Sequence, residues 1–536
     1  MDRHPRLAVA VFAPADDAGP GPTRSAGPVS HSVSMERMTG MDAGFLYMET
    51  PTIHMHTIKA AIIDPATVPG GYTFERFREV LGEHLHLLPP FRRRVVEVPL
   101  GLHHPVWVDD PDFDIDRHIR RVVLDPPAGR REMDRAIGAI ASVPLPRDRP
   151  LWEIVVLEGM PDGRIGFVAK LHHSLADGVA AAELLANVMD LEPDPPEPPI
   201  DPDGGRGWTG EALPSRWALL WAAVVEGIAG LARVPALVGR TLRSLVAVVR
   251  RRRRADVSPP VPMLDTPNVS FSTALTPRRS FATTTLPLDD LRAVKSAAGA
   301  TVNDVLLTLV AGALRSYLLA RDELPEAPLV AGVPVSTDRP EDVHRLGGNK
   351  VSNLFTALPT HLDDPRARLA AVHEVTKAAK EVHNLLGVDM LADWVEFTPP
   401  RPYAYLARQY SRFRIADRHR PPINVVVSNV PGPREPLYIA GARLESIYSV
   451  GPVLENIGLN ITAWSYLDQV HVSAIACRDV IADLAEVLNA MAAALAELQS
   501  ALGLSPSSST STSTSTSTST PPPPPRTPVA PTPAAG

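Results

Sequence analysis

Residues 171–180 read LHHSLADGVA: two adjacent histidines, three residues, then Asp-Gly. The run before it, RIGFVAKL (164–171), is apolar and rich in β-formers. The run after it, GVAAAELLANVMDLE (178–192), carries Leu184, Leu185 and Val188 on one side of a helix. The motif therefore lies where a strand hands over to a helix, on a loop held by two rigid elements, a common location for reactive groups. Three readings compete for His172, His173 and Asp177: metal ligands, a general base with its supports, or two strand-end histidines followed by a helix-capping aspartate.

Metal fits poorly. His173 and Asp177 have the spacing of ligands on one helix face, but Gly178 argues for a turn there and no nearby carboxylate or cysteine completes a set. A serine nucleophile needs a strained elbow, usually Gly-x-Ser-x-Gly. The chain has none, so Ser174 reads as spacing. A general base needs only a histidine whose other nitrogen is oriented by a neighbour. Asp177 could return in a tight turn to hold the loop or an arginine, and Gly178 leaves room for a substrate. From these residues alone, the base and the cap stay equally open.

Other histidines offer less. GLHHPVWVDD (101–110) repeats a pair, His103-His104, ahead of Asp109 and Asp110, without the Asp-Gly at matching spacing. Pro105 and Trp107 there predict an extended surface strand. His84 and His86 read as helix-surface residues. Cys477, near the end of a strand-like run, is expected to be a buried core thiol.

The 536 residues exceed a typical single domain, and 44% of them are hydrophobic, enough for a large core. A net charge of −7 argues against nucleic acid as a partner. The single cysteine excludes an intrachain disulfide framework and a cysteine-rich zinc site, and fits a reducing, intracellular compartment. The start, MDRHPRLAVAVFAPADD, weakly imitates a signal peptide, but Pro14 interrupts its short apolar run. Residues 1–34 are expected to be a disordered leader, with Met35 or Met38 as an alternative start. No run reaches the roughly 18 uninterrupted apolar residues of a membrane span.

Patterned sequence occupies 35–192 and 265–503, the second with a helix at 301–320, strands at 328–336 and 424–430, and a final helix at 483–502. A linker, 193–264, separates them. It begins Pro-rich and continues through 216–254, where Trp217, Leu220, Trp221, Val224, Ile228 and Leu231 recur at helical spacing and Pro235 interrupts. Nine arginines against one glutamate give 216–254 a charge of +8. Such a helix pair suits the surface of an anionic membrane; an amphipathic helix packed on the protein is the competing reading. After Leu504 a Ser/Thr/Pro tail has no means of building a core.

Context decides the motif. His-His-x-x-x-Asp-Gly resembles the signature of coenzyme A-dependent acyltransferases and of peptide-synthetase condensation domains. Further segments resemble, in order, the bacterial wax ester synthase/acyl-CoA:diacylglycerol acyltransferase family. They are MTGMDAGFLYMET (38–50), PLPRDRPLWE (144–153), TVNDVLLTLVAGALR (301–315), GVPVSTD (332–338) with LGGNKVSNLFTALPT (346–360), NVVVSNVPGPREPLYIAGARLES (424–446) and GLNITAWSYLDQVHVS (458–473). The likeness runs from about residue 36 to 500, with Pro146 standing where the family more often shows Asp.

The resemblance implies an α/β fold of two chloramphenicol-acetyltransferase-like halves, each a mixed sheet with helices, and an active-site tunnel between them. It implies His173 as proton acceptor, His172 in support and Asp177 as a structural residue. Gly178, Asn303, Asp304, Ser428 and Asn429 would line the site, although Asn303 reads equally well as a helix N-cap. Pro150, Leu151 and Trp152 match a segment of structural character. The implied substrates are long-chain acyl-CoA and diacylglycerol or a long-chain alcohol, with no cofactor, no metal and no nucleic acid. Contact with a membrane or lipid inclusion would run through 216–254. Acyl transfer to another hydroxyl, including condensation-type use of a carrier-bound thioester, and a non-catalytic lipid-inclusion protein remain the alternatives.

Overall fold

The computed structural model describes residues 35–126, 128–194, 212–339, 345–387 and 389–505; the expected leader, most of the Pro-rich linker and the Ser/Thr/Pro tail lie outside them. In chain order the strands are β1 (Glu36–Arg37), β2 (His56–Asp64), β3 (Arg93–Val96), β4 (Val106–Asp109), β5 (Ile119–Val123), β6 (Trp152–Glu158), β7 (Ile165–His172), β8 (Arg279–Pro287), β9 (Leu329–Ser336), β10 (Val351–Leu358), β11 (Val425–Val430), β12 (Tyr438–Ile439), β13 (Ala442–Val450), β14 (Leu459–Tyr466) and β15 (Gln469–Cys477). One six-stranded sheet has the order β12-β13-β2-β7-β6-β5, the other β10-β9-β11-β14-β15-β8, and β1-β4-β3 form a small third. Both large sheets are mixed: β5 runs parallel to β6, and β11 runs parallel to β9 and β14.

The halves are not contiguous in sequence. β13 leaves the C-terminal half and pairs with β2, from Arg443↔Asp64 to Val450↔Ile58. The boundaries expected at 35–192 and 265–503 therefore follow chain order but not sheet membership. Burial explains the exchange. Leu444 and Ile447 enter one core and Tyr448 and Val450 another, so β13 needs cover on both faces. Ser449 also joins the two sheets: its N–H donates to Ser473 Oγ at 3.1 Å, and that hydroxyl donates to the Ser449 carbonyl at 2.7 Å.

The helix Val302–Leu319 is the one described helix long and apolar enough to cross a membrane, and 72% of it is buried. Leu306, Leu309, Val310 and Leu314 join a core with Leu488, Met491 and Leu495 of the helix Leu484–Leu502, the usual place for a helix that is apolar all round. The helix expected over 178–192 is shorter, Gly178–Ala186. Asn187 Nδ2 donates to the Glu183 carbonyl at 3.0 Å, and Asp190 then exchanges backbone bonds with Tyr438, which draws the chain away from the helix axis.

Residues 216–254 form two helices, Arg216–Leu231 and Val234–Arg252, bent by 45° with Pro235 in the first turn of the second. Most of the expected apolar stripe faces outward: Trp217 is 80% and Trp221 73% exposed, and Val224, Ile228 and Leu231 are exposed too. The opposite face packs on the protein, where Leu219 covers Val106 and Val108 of β4. That cover makes β4 a buried strand rather than the surface strand expected from Pro105 and Trp107.

Candidate active site

β7 ends at His172, and a short loop leads to the helix that Asp177 caps. Asp177 Oδ1 accepts from the N–H groups of Val179 and Ala180 at 3.1 and 3.0 Å. A segment of the C-terminal half clamps the loop from outside. Gly348 N–H donates to the Leu175 carbonyl at 2.8 Å, and Asp177 N–H donates to the Gly348 carbonyl at 3.2 Å. Gly348 has φ +75°, a conformation that suits glycine.

His173 leaves the strand with its N–H donating to the Met55 carbonyl at 2.7 Å, and its ring stacks on Phe45 with centroids 4.1 Å apart. Asn349 sets its proton. The Asn349 amide Nδ2 donates to Asp42 Oδ1 at 2.7 Å and to the His173 carbonyl at 2.8 Å, both of which only accept. Oδ1 of Asn349 is left as the acceptor facing His173 Nδ1 at 2.9 Å, so Nδ1 carries the ring proton. Nε2 is then the nitrogen with a free lone pair. Burial holds the His173 imidazole below its usual range, in spite of the nearby Asp177 carboxylate, so the ring is neutral near pH 7.

His172 is fully enclosed and turned elsewhere. Ser174 Oγ lies 2.8 Å from its Nδ1, which accepts from Ser174 N–H at 3.1 Å, so the hydroxyl is spent on the ring and is no free nucleophile. Its Nε2 lies 3.6 Å from Glu49, which Arg147 also contacts. Burial pushes this imidazole down to about 4 even beside Glu49. Asp177 Oδ2 meets Arg345 Nη2 at 2.8 Å and accepts from Lys350 N–H at 2.8 Å. Arg345 also donates to the Gly347 carbonyl at 2.8 Å, so the ion pair fixes the clamp as well as the cap. The two histidines and the aspartate thus serve three different sets of partners.

Of the sequence-derived site residues, His172, His173, Asp177 and Gly178 share this loop. Thr301, not Asn303, is the N-cap of its helix, with Asp304 completing a capping box and accepting from Thr301 N–H at 3.0 Å. Asp304 also faces His373 Nδ1 at 2.9 Å. Ser428 and Asn429 sit on β11 beside Thr462 and Ala463 of β14. Among the described residues none of these four side chains hydrogen-bonds to residues 172–178. The decoy His104 is structural: Tyr47 Oη lies 2.8 Å from its Nδ1, and its Nε2 meets the Glu396 carbonyl at 2.9 Å. His84 ends the helix Phe74–His84, and Cys477 is a buried thiol as expected. Asp42, Phe45, Arg345 and Asn349 were not singled out by sequence, although Asp42, Phe45 and Asn349 lie inside the family-like segments.

One cavity, of about 280 Å³, reaches the loop at Leu175 and has charged groups in its wall: Asp42, Arg93, Arg345 and Lys350, beside Asn349. Another, of about 70 Å³, is apolar, with Phe77, Leu81, Phe167, Leu185 and Met189. It adjoins a third of about 30 Å³ across Leu185, Met189 and Ile447. The helix that Asp177 caps supplies Leu185, so the loop and the apolar wall are one continuous element.

Comparison with known proteins identifies the family. Residues 38–306 match the wax ester synthase/diacylglycerol acyltransferase catalytic domain and residues 347–499 the C-terminal domain of the same family. A Mycobacterium tuberculosis H37Rv protein, Rv0221, provisionally named a diacylglycerol O-acyltransferase, is 42% identical over 88% of this chain and 97% of its own. Rv1760 of the same strain, named likewise, is 38% identical over 87% and 90%. Among solved structures, the wax ester synthase/diacylglycerol acyltransferase of Marinobacter aquaeolei VT8 superposes with a TM-score of 0.59 at 28% identity, covering 87% of this chain and all of that one. The first condensation domain of the calcium-dependent antibiotic synthetase shares the fold, with a TM-score of 0.52 at 16% identity over 88% and 97% of the two chains. By sequence and by fold, the chain belongs to the wax ester synthase/diacylglycerol acyltransferase family of acyltransferases.

Proposed function

We propose that the protein transfers a long-chain acyl group from acyl-CoA to the free hydroxyl of diacylglycerol, with long-chain alcohols as a second class of acceptor. The observation that carries the reading is the neutral His173 ring, protonated on Nδ1 by its bond to Asn349 and free on Nε2. Nε2 takes the proton as the acceptor oxygen attacks the thioester carbonyl. The tetrahedral intermediate collapses with loss of the thiolate, and the proton passes from Nε2 to sulfur, so ester and free CoA leave. Asp177 acts on geometry alone, through the helix cap and Arg345. His172 supports the loop from inside, tied to Ser174. The charge-lined cavity suits the charged CoA moiety and the apolar one a lipid chain. The names of the Mycobacterium relatives support the choice of diacylglycerol.

The exposed face of 216–231, with Trp217, Trp221, Ile228 and Leu231, and the run of arginines at 250–254 that ends the pair support peripheral attachment to an anionic membrane or lipid inclusion. Trp217→Ser with Trp221→Ser should abolish flotation with anionic liposomes; unchanged flotation refutes the attachment. For the chemistry, labelled long-chain acyl-CoA is offered with dioleoylglycerol or hexadecanol. His173→Ala should lower turnover by roughly 10²–10⁴. Wild-type turnover in that variant would rule out the base.

A further inference from the structure

Lys59 lies on β2, where its neighbours Ile58 and Ala60 are apolar, and it is as buried as they are. Its ammonium has no carboxylate paired with it among the described residues. Nζ donates to Ser449 Oγ at 2.5 Å and sits 4.7 Å above the ring of Trp464. In its charged form the group carries three N–H donors, so two are left over. Trp464 is buried as well, and its Nε1–H has no hydrogen-bond partner among the described residues. At the edge of that indole stands Gly432, where any Cβ would come within 2.6 Å of Nε1. Lys59 lines the apolar cavity and Trp464 the one adjoining it, and the 4.7 Å between Nζ and the indole ring brings the spare donors of the two cavities together. Burying donors unmet is costly, and a cluster that only donates calls for a ligand that only accepts.

The site is near the chemistry without being part of it. Lys59 pairs with Ala169 on β7, four residues before His173, and its charge acts on the His173 ring. An acyl chain carries no acceptor beyond the thioester carbonyl that reacts, and a long-chain alcohol none beyond the hydroxyl that reacts. Diacylglycerol carries two ester carbonyls that do not react, close to the hydroxyl that does. We propose that Lys59 and the Trp464 indole N–H bind an unreactive ester carbonyl of the glyceride acceptor and so select diacylglycerol over a plain alcohol. The proposal deepens the acyl-transfer reading and rests on it. Burial lowers the Lys59 ammonium to about 7, and a carbonyl oxygen beside Nζ would favour its charged form.

The test compares three acceptors with the purified full-length protein: 1,2-dioleoylglycerol, its di-ether analogue with the same chains and hydroxyl, and hexadecanol. The wild type should use the diester about tenfold better than the di-ether in kcat/KM, mostly through KM, the scale of one charge-assisted hydrogen bond. Lys59→Met should lower the diester about tenfold more than the di-ether or hexadecanol. Trp464→Phe, which keeps the ring and removes the N–H, should shift the same ratio in the same direction by less. Equal use of diester and di-ether by the wild type overturns the proposal. So does an equal fall on all three acceptors in the variants, which would place Lys59 on the thioester carbonyl instead. Equilibrium binding of diester and di-ether without acyl-CoA, followed by tryptophan fluorescence, makes the comparison independently of turnover. Equal affinities there overturn the carbonyl site, whereas preserved selectivity in binding with no turnover on any acceptor would sink only the acyl-transfer reading.

Discussion

Replacing Asn349 with alanine separates stability from catalysis at this site. The side chain makes three bonds: from His173 Nδ1–H, to the His173 carbonyl, and to the Asp42 carboxylate. The two bonds to neutral partners are worth about 1 kcal/mol each and the one to the carboxylate about 1.5–3 kcal/mol, so folding should weaken by roughly 3–5 kcal/mol. Asp42, raised to about 6 by burial, can relieve part of that loss by taking up a proton. The catalytic cost is separate. Without Oδ1 the imidazole loses the bond that fixes its tautomer and orientation, about 1–2 kcal/mol, or 5–30-fold in the population poised to accept a proton. The assay is kcat and KM on dioleoylglycerol at pH 7.5, at a temperature where variant and wild type are both folded, together with urea denaturation. kcat should fall 5–30-fold with KM within about twofold. Adding Asp42→Asn should restore part of the stability and none of the kcat. An unchanged kcat in folded Asn349→Ala, or recovery of kcat together with stability in the double variant, would refute the reasoning.

Four further outcomes follow from the same geometry. His173 is held below its usual 6.5, so with hexadecanol, which lacks the ester carbonyl assigned to Lys59, kcat/KM should be flat above pH 6.5 and fall only on the acid side; an acid limb centred above 6.5 contradicts a buried neutral base. His172, at about 4 when folded, stays neutral while the unfolded chain takes up a proton below 6.5. Its contribution to stability is therefore complete above pH 6.5 and is lost as pH falls toward 4, by up to about 3 kcal/mol, and His172→Gln should flatten the urea-denaturation profile across that window. Asp177→Asn keeps an acceptor for the helix cap and removes the charge facing Arg345; stability should drop by about 1–3 kcal/mol, and activity by far less than in His173→Ala. Gly348→Ala forces a side chain into φ +75°, at a cost of about 1–2 kcal/mol, and should lower kcat because Asn349 is the next residue.

Much of the site was readable because it is local. A β-prone run, two histidines, an aspartate with cap spacing and a helical run predict a strand, a loop and a helix, and those elements form. The extent of the helix was not readable, because its end depends on Tyr438, far along the chain. Asn303 shows the opposite error: Thr301, two residues earlier, and Asp304 satisfy the helix start between them. The amphipathic pair 216–252 was placed by its spacing and Pro235, but only packing against Val106 and Val108 assigned its inner face to Leu219 and left the tryptophans outside.

Taken alone, the sequence determined the strand-loop-helix carrying His173 and the aspartate that caps it, since these depend on residues within one short window, and it determined the family and the α/β class through segments spread from about residue 36 to 500. Tertiary structure decided which nitrogen of His173 holds the proton, because Asn349 lies 176 residues away and its own donors are committed to Asp42 and a backbone carbonyl. It also decided that β13 completes the N-terminal sheet and that Lys59 stands buried without a carboxylate partner among the described residues. Each of these is a matter of which distant group fills the space beside a buried polar atom, and no local pattern encodes that neighbour.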